Sequence, residues 1–345
     1  PFWLKNRCAE GAALRLRAII PTRCFMAAAD AEGTAPSSLC GAPGPHPVST
    51  RDGAHLCTGS FASATIYFPE TSASYLPSIV IVGGWSCGEQ VLQAWGPFYA
   101  SHGIVAMTIG TPSPWKDPPS HRCQALLDAS AALQTEHDRA GSPLHGRLDA
   151  SRRAVQGYSL GGGGAQLAAL KDRTLKSAIA LCPADGKGME SGFPTELSAD
   201  VPVLIICGEK DKISPPEKHA RVQYCGTSAP KLLFEVAGGD HFVANGPAGG
   251  VGSKAGCPDD CGFLCNYMCV ICCWFVPRPS ITYNIASGHA ADNAPRGAIG
   301  GVALAWLRLF LLEEDSARET LAVRPSIASA FESNVVLPVP SMQSM

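Results

Sequence analysis

Gly157-Tyr158-Ser159-Leu160-Gly161 places a serine hydroxyl between two glycines. The short apolar run Ala154–Gly157 before it reads as a strand, and Leu160–Leu170 after it reads as a helix. A serine on a sharp strand-to-helix turn points away from the sheet at a helix N-terminus, where free N–H groups and the helix dipole favour developing negative charge. The chemistry suited to such a serine is nucleophilic attack on a carbonyl. The bland alternative is a glycine-rich turn whose serine only caps the helix.

A serine hydroxyl is a poor nucleophile at neutral pH, so it needs a general base and a group that orients that base. With a strand–serine–helix turn, the acid and then the histidine follow the serine along the chain. Asp211 follows the predicted strand Val201–Cys207, and Asp185 follows the preceding strand as second choice. Asp240 adjoins a histidine too closely in sequence to orient it. Of nine histidines, only His219, His241 and His289 follow Asp211. His219 falls in a predicted helix, Pro216–Tyr224, and His289 in an unusual insertion. His241 follows the strand Leu232–Val236 in a glycine-containing loop, which puts it at the same sheet edge as Ser159 and Asp211. An acyl-transfer site also needs oxyanion donors, each worth about 3 kcal/mol. The backbone N–H of Leu160 is one, and that of Trp85, in Gly83-Gly84-Trp85-Ser86 after the strand Ser78–Val82, is the other. The Trp85 indole is either a wall of the acyl pocket or a packing residue.

These side chains must be held by alternating elements. Strands are predicted at Phe61–Phe68, Ser78–Val82, Ile104–Ile109, Ala154–Gly157, Ala178–Leu181, Val201–Cys207 and Leu232–Val236. Helices are predicted near Glu89–Ser101, His121–Asp138, Leu160–Leu170, Pro216–Tyr224 and Gly297–Leu312. Strands alternating with helices imply an α/β fold, a mostly parallel sheet covered on both faces. Three regions follow: an irregular N-terminal segment (1–55), a core domain (56–315) and a C-terminal tail (316–345).

The chain has 345 residues, 46% hydrophobic and 16% charged, with a net charge of −2. That supports one large core, and without a Lys/Arg-rich run it argues against nucleic acid as a partner. The first 30 residues carry a basic bias that fits a targeting peptide or a disordered tail, a secreted or organellar location being favoured over a nuclear one. The charge and composition leave oligomeric state open.

The motifs together resemble the bacterial cutinase and PET hydrolase-like family of the α/β-hydrolase fold, and more distantly dienelactone hydrolases, chlorophyllases and platelet-activating-factor acetylhydrolases. The resemblance rests on Val82-Gly-Gly-Trp85, Ala100-Ser-His-Gly-Ile-Val105, Gly157 to Gly164 with its run of four glycines, Cys207 to Pro215, and Gly238 to Asn245. It implies Ser159 as nucleophile, Asp211 as acid, His241 as base and the Trp85 and Leu160 amides as oxyanion hole. It also implies cleavage of carboxylic esters, lipid-like, small or polymeric, through an acyl-enzyme with no cofactor or metal. Ala184 and Ile213, with Trp85, fall at substrate-binding positions. There are three departures. Ala184 stands where polyester cleavers carry a tryptophan. Gly208 and Val243 stand where some members join the Asp and His loops by a disulfide. About 40 extra residues separate Asn245 from Ala294, beyond an ordinary connection.

That insertion, near 250–292, holds Cys257, Cys261, Cys265, Cys269, Cys272 and Cys273, six of the chain's 15 cysteines. Four readings compete, in this order: an apolar lid helix; disulfides in an oxidising compartment; membrane or lipid-interface contact, with or without palmitoylation, through residues 257–275; and a metal site. Its apolar run of about 14 residues is too short to span a bilayer. Two further functions compete with ester hydrolysis: a catalytically silent binding protein of the same fold, and an acyltransferase or peptidase using the same residues.

Overall fold

The computed structural model describes residues 41–190, 192–248 and 297–335. Nine strands form one sheet: β1 (Val48–Asp52), β2 (Ser63–Pro69), β3 (Leu76–Val82), β4 (Val105–Gly110), β5 (Leu148–Tyr158), β6 (Ser177–Leu181), β7 (Val203–Gly208), β8 (Lys231–Val236) and β9 (Ala328–Ser333). Their spatial order is β1-β2-β4-β3-β5-β6-β7-β8-β9. The six strands from β4 to β8 are mutually parallel, while β2 and β9 join antiparallel to their neighbours β4 and β8. The helices are α1 (Trp95–Ser101), α2 (Pro119–Gln134), α3 (Leu160–Lys171), α4 (Ala220–Gly226), α5 (Gly297–Phe310) and α6 (Ala317–Ala322).

β3, β4, β6 and β7 are buried along their whole length, as their continuous apolar runs require of a sheet covered on both faces. Successive side chains alternate between two cores. Ile79, Ile81, Leu204 and Ile206 join Trp95, Phe98 and Tyr99 of α1 and Ile299, Val302 and Trp306 of α5. Val80, Val82, Val203 and Ile205 point the other way, onto Leu126 and Leu133 of α2 and Ala165 and Ala168 of α3. Each fully buried large aliphatic or aromatic side chain contributes about 1.5–3 kcal/mol. The chain leaves β3 for β4 on one side and returns to β5 on the other. The strand order therefore reverses at the C-terminal ends of β3 and β5, where open α/β sheets open a crevice for ligands.

Three local expectations are corrected. Val48–Asp52, inside the segment expected to be irregular, is a strand on β2. The expected tail supplies α6 and β9, and β9 closes the sheet edge against β8. The helix expected over Pro216–Tyr224 begins at Ala220, with His219 immediately before it. The cysteine-rich segment 257–275 and His289 lie outside the described residues. Among the described residues no helix is long and apolar enough to cross a membrane.

Candidate active site

Ser159 sits between β5 and α3 with φ 56° and ψ −118°, a conformation sparsely populated by residues other than glycine. The turn is held from several sides. The Ser159 amide donates to Leu181 O at 2.9 Å, and its carbonyl accepts the amides of Gly162 and Ala184, each at 2.9 Å. The flanking glycines are demanded by close approach. A Cβ on Gly157 would strike the Gly161 carbonyl, and one on Gly161 would lie 2.5 Å from Gly83 O.

His241 lies in the loop after β8, and its Nε2 is 3.1 Å from Ser159 Oγ. Its Nδ1 is 2.7 Å from Asp211 Oδ2, in the loop after β7. The other carboxylate oxygen of Asp211 accepts the amides of Ile213 at 2.9 Å and Ser214 at 2.7 Å, which fixes the carboxylate plane. All three side chains are buried. An imidazole whose Nδ1–H donates to a carboxylate presents Nε2 as the acceptor facing the serine hydroxyl. The Tyr158 ring packs on the imidazole with centroids 5.1 Å apart. Three residues expected to act together are thus brought together, and Asp185 is not among them. Asp185 caps its own loop through the Lys187 amide and faces His219 Nδ1 at 3.6 Å. Burial pushes the His219 pKa below its ordinary value, although the negative charges of Asp185 and Asp211 oppose this.

Cys182 stands beside the acid–base pair, its donor atom within 4.8 Å of those of Asp211 and His241. Burial, then the Asp211 charge, push its thiol pKa well above the ordinary value, so it stays protonated at neutral pH and does not compete as nucleophile. The three form the one group of metal-capable side chains among the described residues, but two of its donor atoms are already spent on the His241–Asp211 hydrogen bond.

The Gly83–Ser86 loop lies directly against the nucleophile: a Cβ on Gly84 would sit 2.5 Å from Ser159 Cβ. That brings Gly84 beside the hydroxyl, with Trp85 next along the chain; Leu160 is the first residue of α3, so its N–H finds no acceptor within the helix. The Trp85 indole turns outward. Its Nε1 donates to Trp115 O at 3.0 Å, and the two rings meet edge to face at 4.8 Å. Ala184 is half-buried, and Ile213 is exposed on the Asp211 loop. Gly208 and Val243, the positions where the resemblance pointed to a disulfide in some members, both lack a thiol. Here the two loops are joined instead by Lys210 N–H to Gly239 O at 2.8 Å and Gly238 N–H to the Glu209 carboxylate at 2.7 Å.

Sequence reading missed Trp115 and Cys182. An exposed tryptophan among prolines just after a parallel strand was an available signal for the first. Nothing local marked the second, whose place beside His241 arises only from strand pairing.

A family model described as PET hydrolase-like matches residues 26–255. Cutinase 1 of Thermobifida cellulosilytica is 36% identical over 207 residues, covering 59% of this chain and 74% of that protein. Bis(hydroxyethyl) terephthalate hydrolase of Streptomyces coelicolor is 30% identical over 277 residues, covering 77% and 82% respectively. Lipase 1 of a Moraxella strain is 31% identical over 201 residues, covering 58% of this chain and 59% of that protein. With the parallel sheet, the serine turn and these matches agreeing, the chain belongs to the PET hydrolase-like family of carboxylic ester hydrolases with the α/β-hydrolase fold.

Proposed function

We propose that the protein hydrolyses hydrophobic carboxylic esters with Ser159 as nucleophile, His241 as general base and acid, and Asp211 as the orienting carboxylate. The observation that carries this reading is the single imidazole bridging Ser159 Oγ and Asp211 Oδ2. Ser159 Oγ attacks the ester carbonyl while its proton passes to His241 Nε2. The imidazolium is stabilised by Asp211, and the carbonyl oxygen, now negative, is received by the N–H groups of Trp85 and Leu160. Collapse expels the alcohol, which takes the proton from His241. Water, deprotonated by the same nitrogen, then releases the acid from Ser159.

The surroundings support an apolar substrate. Trp85, Trp115, Met189 and Ile213 are exposed on the loops after β3, β4, β6 and β7, all at the edge of the sheet that carries Ser159. Exposed large apolar side chains gathered at one crevice mark a binding surface. With Ala184 leaving room beside the nucleophile, this reading takes in small, lipid-like and polymeric esters.

A chromogenic short-chain ester assay tests it. Wild-type protein should turn over, and Ser159→Ala should lose roughly four orders of magnitude or more. A fluorophosphonate should label wild type and not the variant. Label retained by folded Ser159→Ala, or no turnover of any ester by folded wild type, would refute the assignment.

A further inference from the structure

Arg122, on α2, is fully buried, and its guanidinium donates to three main-chain carbonyls. Nη1 reaches Gly83 O at 2.8 Å, Nη2 reaches Pro114 O at 2.8 Å, and Nε reaches Asp117 O at 3.1 Å. Among the described residues it forms no ion pair; all three of these hydrogen bonds go to peptide oxygens, and the nearby Asp117 charge adds a favourable field. Burial pulls its pKa down to about 10, which leaves it charged at neutral pH.

The three carbonyls belong to two loops that meet beside the nucleophile. Gly83 precedes Gly84 and Trp85. Pro114 O also accepts the Ser86 amide at 3.0 Å, so residue 86 is tied to the same anchor. The Gly83 carbonyl is gripped from the other side by α3, where a Cβ on Gly161 would lie 2.5 Å away. Arg122 approaches this closely because α3 carries glycine at 164, where a Cβ would fall 2.9 Å from Arg122 Cβ. One planar fork thus brackets Trp85 between fixed points at residues 83 and 86, a geometry a flexible ammonium cannot reproduce.

We propose that Arg122 is a positioning residue for the oxyanion hole: by holding the Gly83 and Pro114 carbonyls it aims the Trp85 N–H at the oxygen that becomes negative during ester attack. This rests on the Ser159 nucleophile reading above. Without the clamp the Trp85 amide is free to move away from that oxygen, while the Met189 and Ile213 side chains, on loops that Arg122 does not touch, keep their places.

The test compares Arg122→Lys and Arg122→Gln with wild type, each normalised to sites titrated with a fluorophosphonate. Lysine keeps the charge and the stem, so at least one folded variant is available if glutamine destabilises the core. Steady-state constants are measured on p-nitrophenyl butyrate, with the inhibition constant of an alkyl trifluoromethyl ketone, which forms a tetrahedral oxyanion on the serine. The expected result is a kcat per titrated site lower by about 10- to 100-fold, with KM little changed and ketone affinity falling in step with kcat/KM. A merely structural role lowers the number of titrated sites and the melting temperature but leaves kcat per site and the ketone constant alone, and that outcome overturns the proposal. If wild type is not labelled at Ser159, the underlying reading fails and this proposal with it. If wild type is labelled but the ketone is indifferent to Arg122, only the present inference fails.

Discussion

The carbonyl of Ser159 accepts the amide of Ala184 at 2.9 Å, so residue 184 is locked in register with the nucleophile. Whatever side chain stands there projects from backbone that cannot drift away from the reacting atoms. Ala184 offers one methyl group, where the resemblance drawn from the sequence pointed to an indole. Ala184→Trp should therefore raise kcat/KM for aromatic esters relative to aliphatic ones by about 2- to 10-fold, the value of one aromatic contact. The check is a ratio of specificity constants for phenyl-acyl and butanoyl esters of the same alcohol. An unchanged ratio would mean that position 184 does not face the acyl group.

Two aspartates compete in sequence for the role of orienting acid, and their surroundings separate them. Asp211 Oδ2 is 2.7 Å from the imidazole, whereas Asp185 faces His219 and its own loop. Asp211→Asn leaves the shape but replaces the acceptor with an amide that no longer enforces the tautomer. It should lower kcat by roughly 10⁴-fold. Asp185→Asn should leave kcat within about a factor of 2, the usual range for a charge that touches no reacting group. Equal losses in the two variants would move the acid away from Asp211.

Gly84 lies against Ser159 so closely that a methyl group would meet Ser159 Cβ at 2.5 Å and Tyr158 O at 3.0 Å. Gly84→Ala forces either the oxyanion loop or the serine turn to move by about an ångström, a displacement that costs on the order of 100-fold in rate. Gly83, Gly84 and Ser86 are buried but belong to neither apolar core, so unfolding by urea should change little. Rate loss with an unchanged urea midpoint is the expected pattern. Full activity would mean that the loop adapts without disturbing the hydroxyl.

What was legible in the chain follows the physics of burial. β3, β4, β6 and β7 are mostly apolar because both their faces are covered, and each was visible as a run. Ser159, Asp211 and His241 were legible because each follows such a run in a loop rich in turn-forming residues. β1 and β9 were not, because they are edge strands that read Val-Ser-Thr-Arg-Asp and Ala-Ser-Ala-Phe-Glu-Ser and are only partly buried. Their partners' hydrogen bonds, not their own pattern, make them strands. Arg122 was illegible for a related reason. An arginine on a helix reads as solvated, and only the crossing of α2 and α3 at Gly164 turns it inward.

A second buried charge lies at the far end of α2, where the chain turns back toward the start of β5. Glu136 accepts hydrogen bonds from Arg139 at 2.7 and 2.5 Å, from Ser142 at 2.6 Å, and faces His55 at 2.8 Å. Burial alone would raise its pKa, but the bonds from Arg139, Ser142 and His55 outweigh that and pull it from 4.5 to about 2. Because the folded value is the lower one, the folded state binds this proton less readily than the unfolded chain. The resulting stabilisation is complete above pH 4.5 and is lost as the pH falls toward 2. Glu136→Gln removes the charge and keeps the shape, so it should cost about 2 kcal/mol of unfolding free energy at pH 7. The same substitution should cost progressively less as the buffer is taken below pH 4, and the wild-type and variant urea curves should converge. Activity per folded molecule at pH 7 should not change, since this carboxylate lies just beyond the end of α2, at the sheet edge opposite Ser159. A constant gap between the two curves from pH 7 to pH 3 would place the stabilisation in packing rather than in the charge.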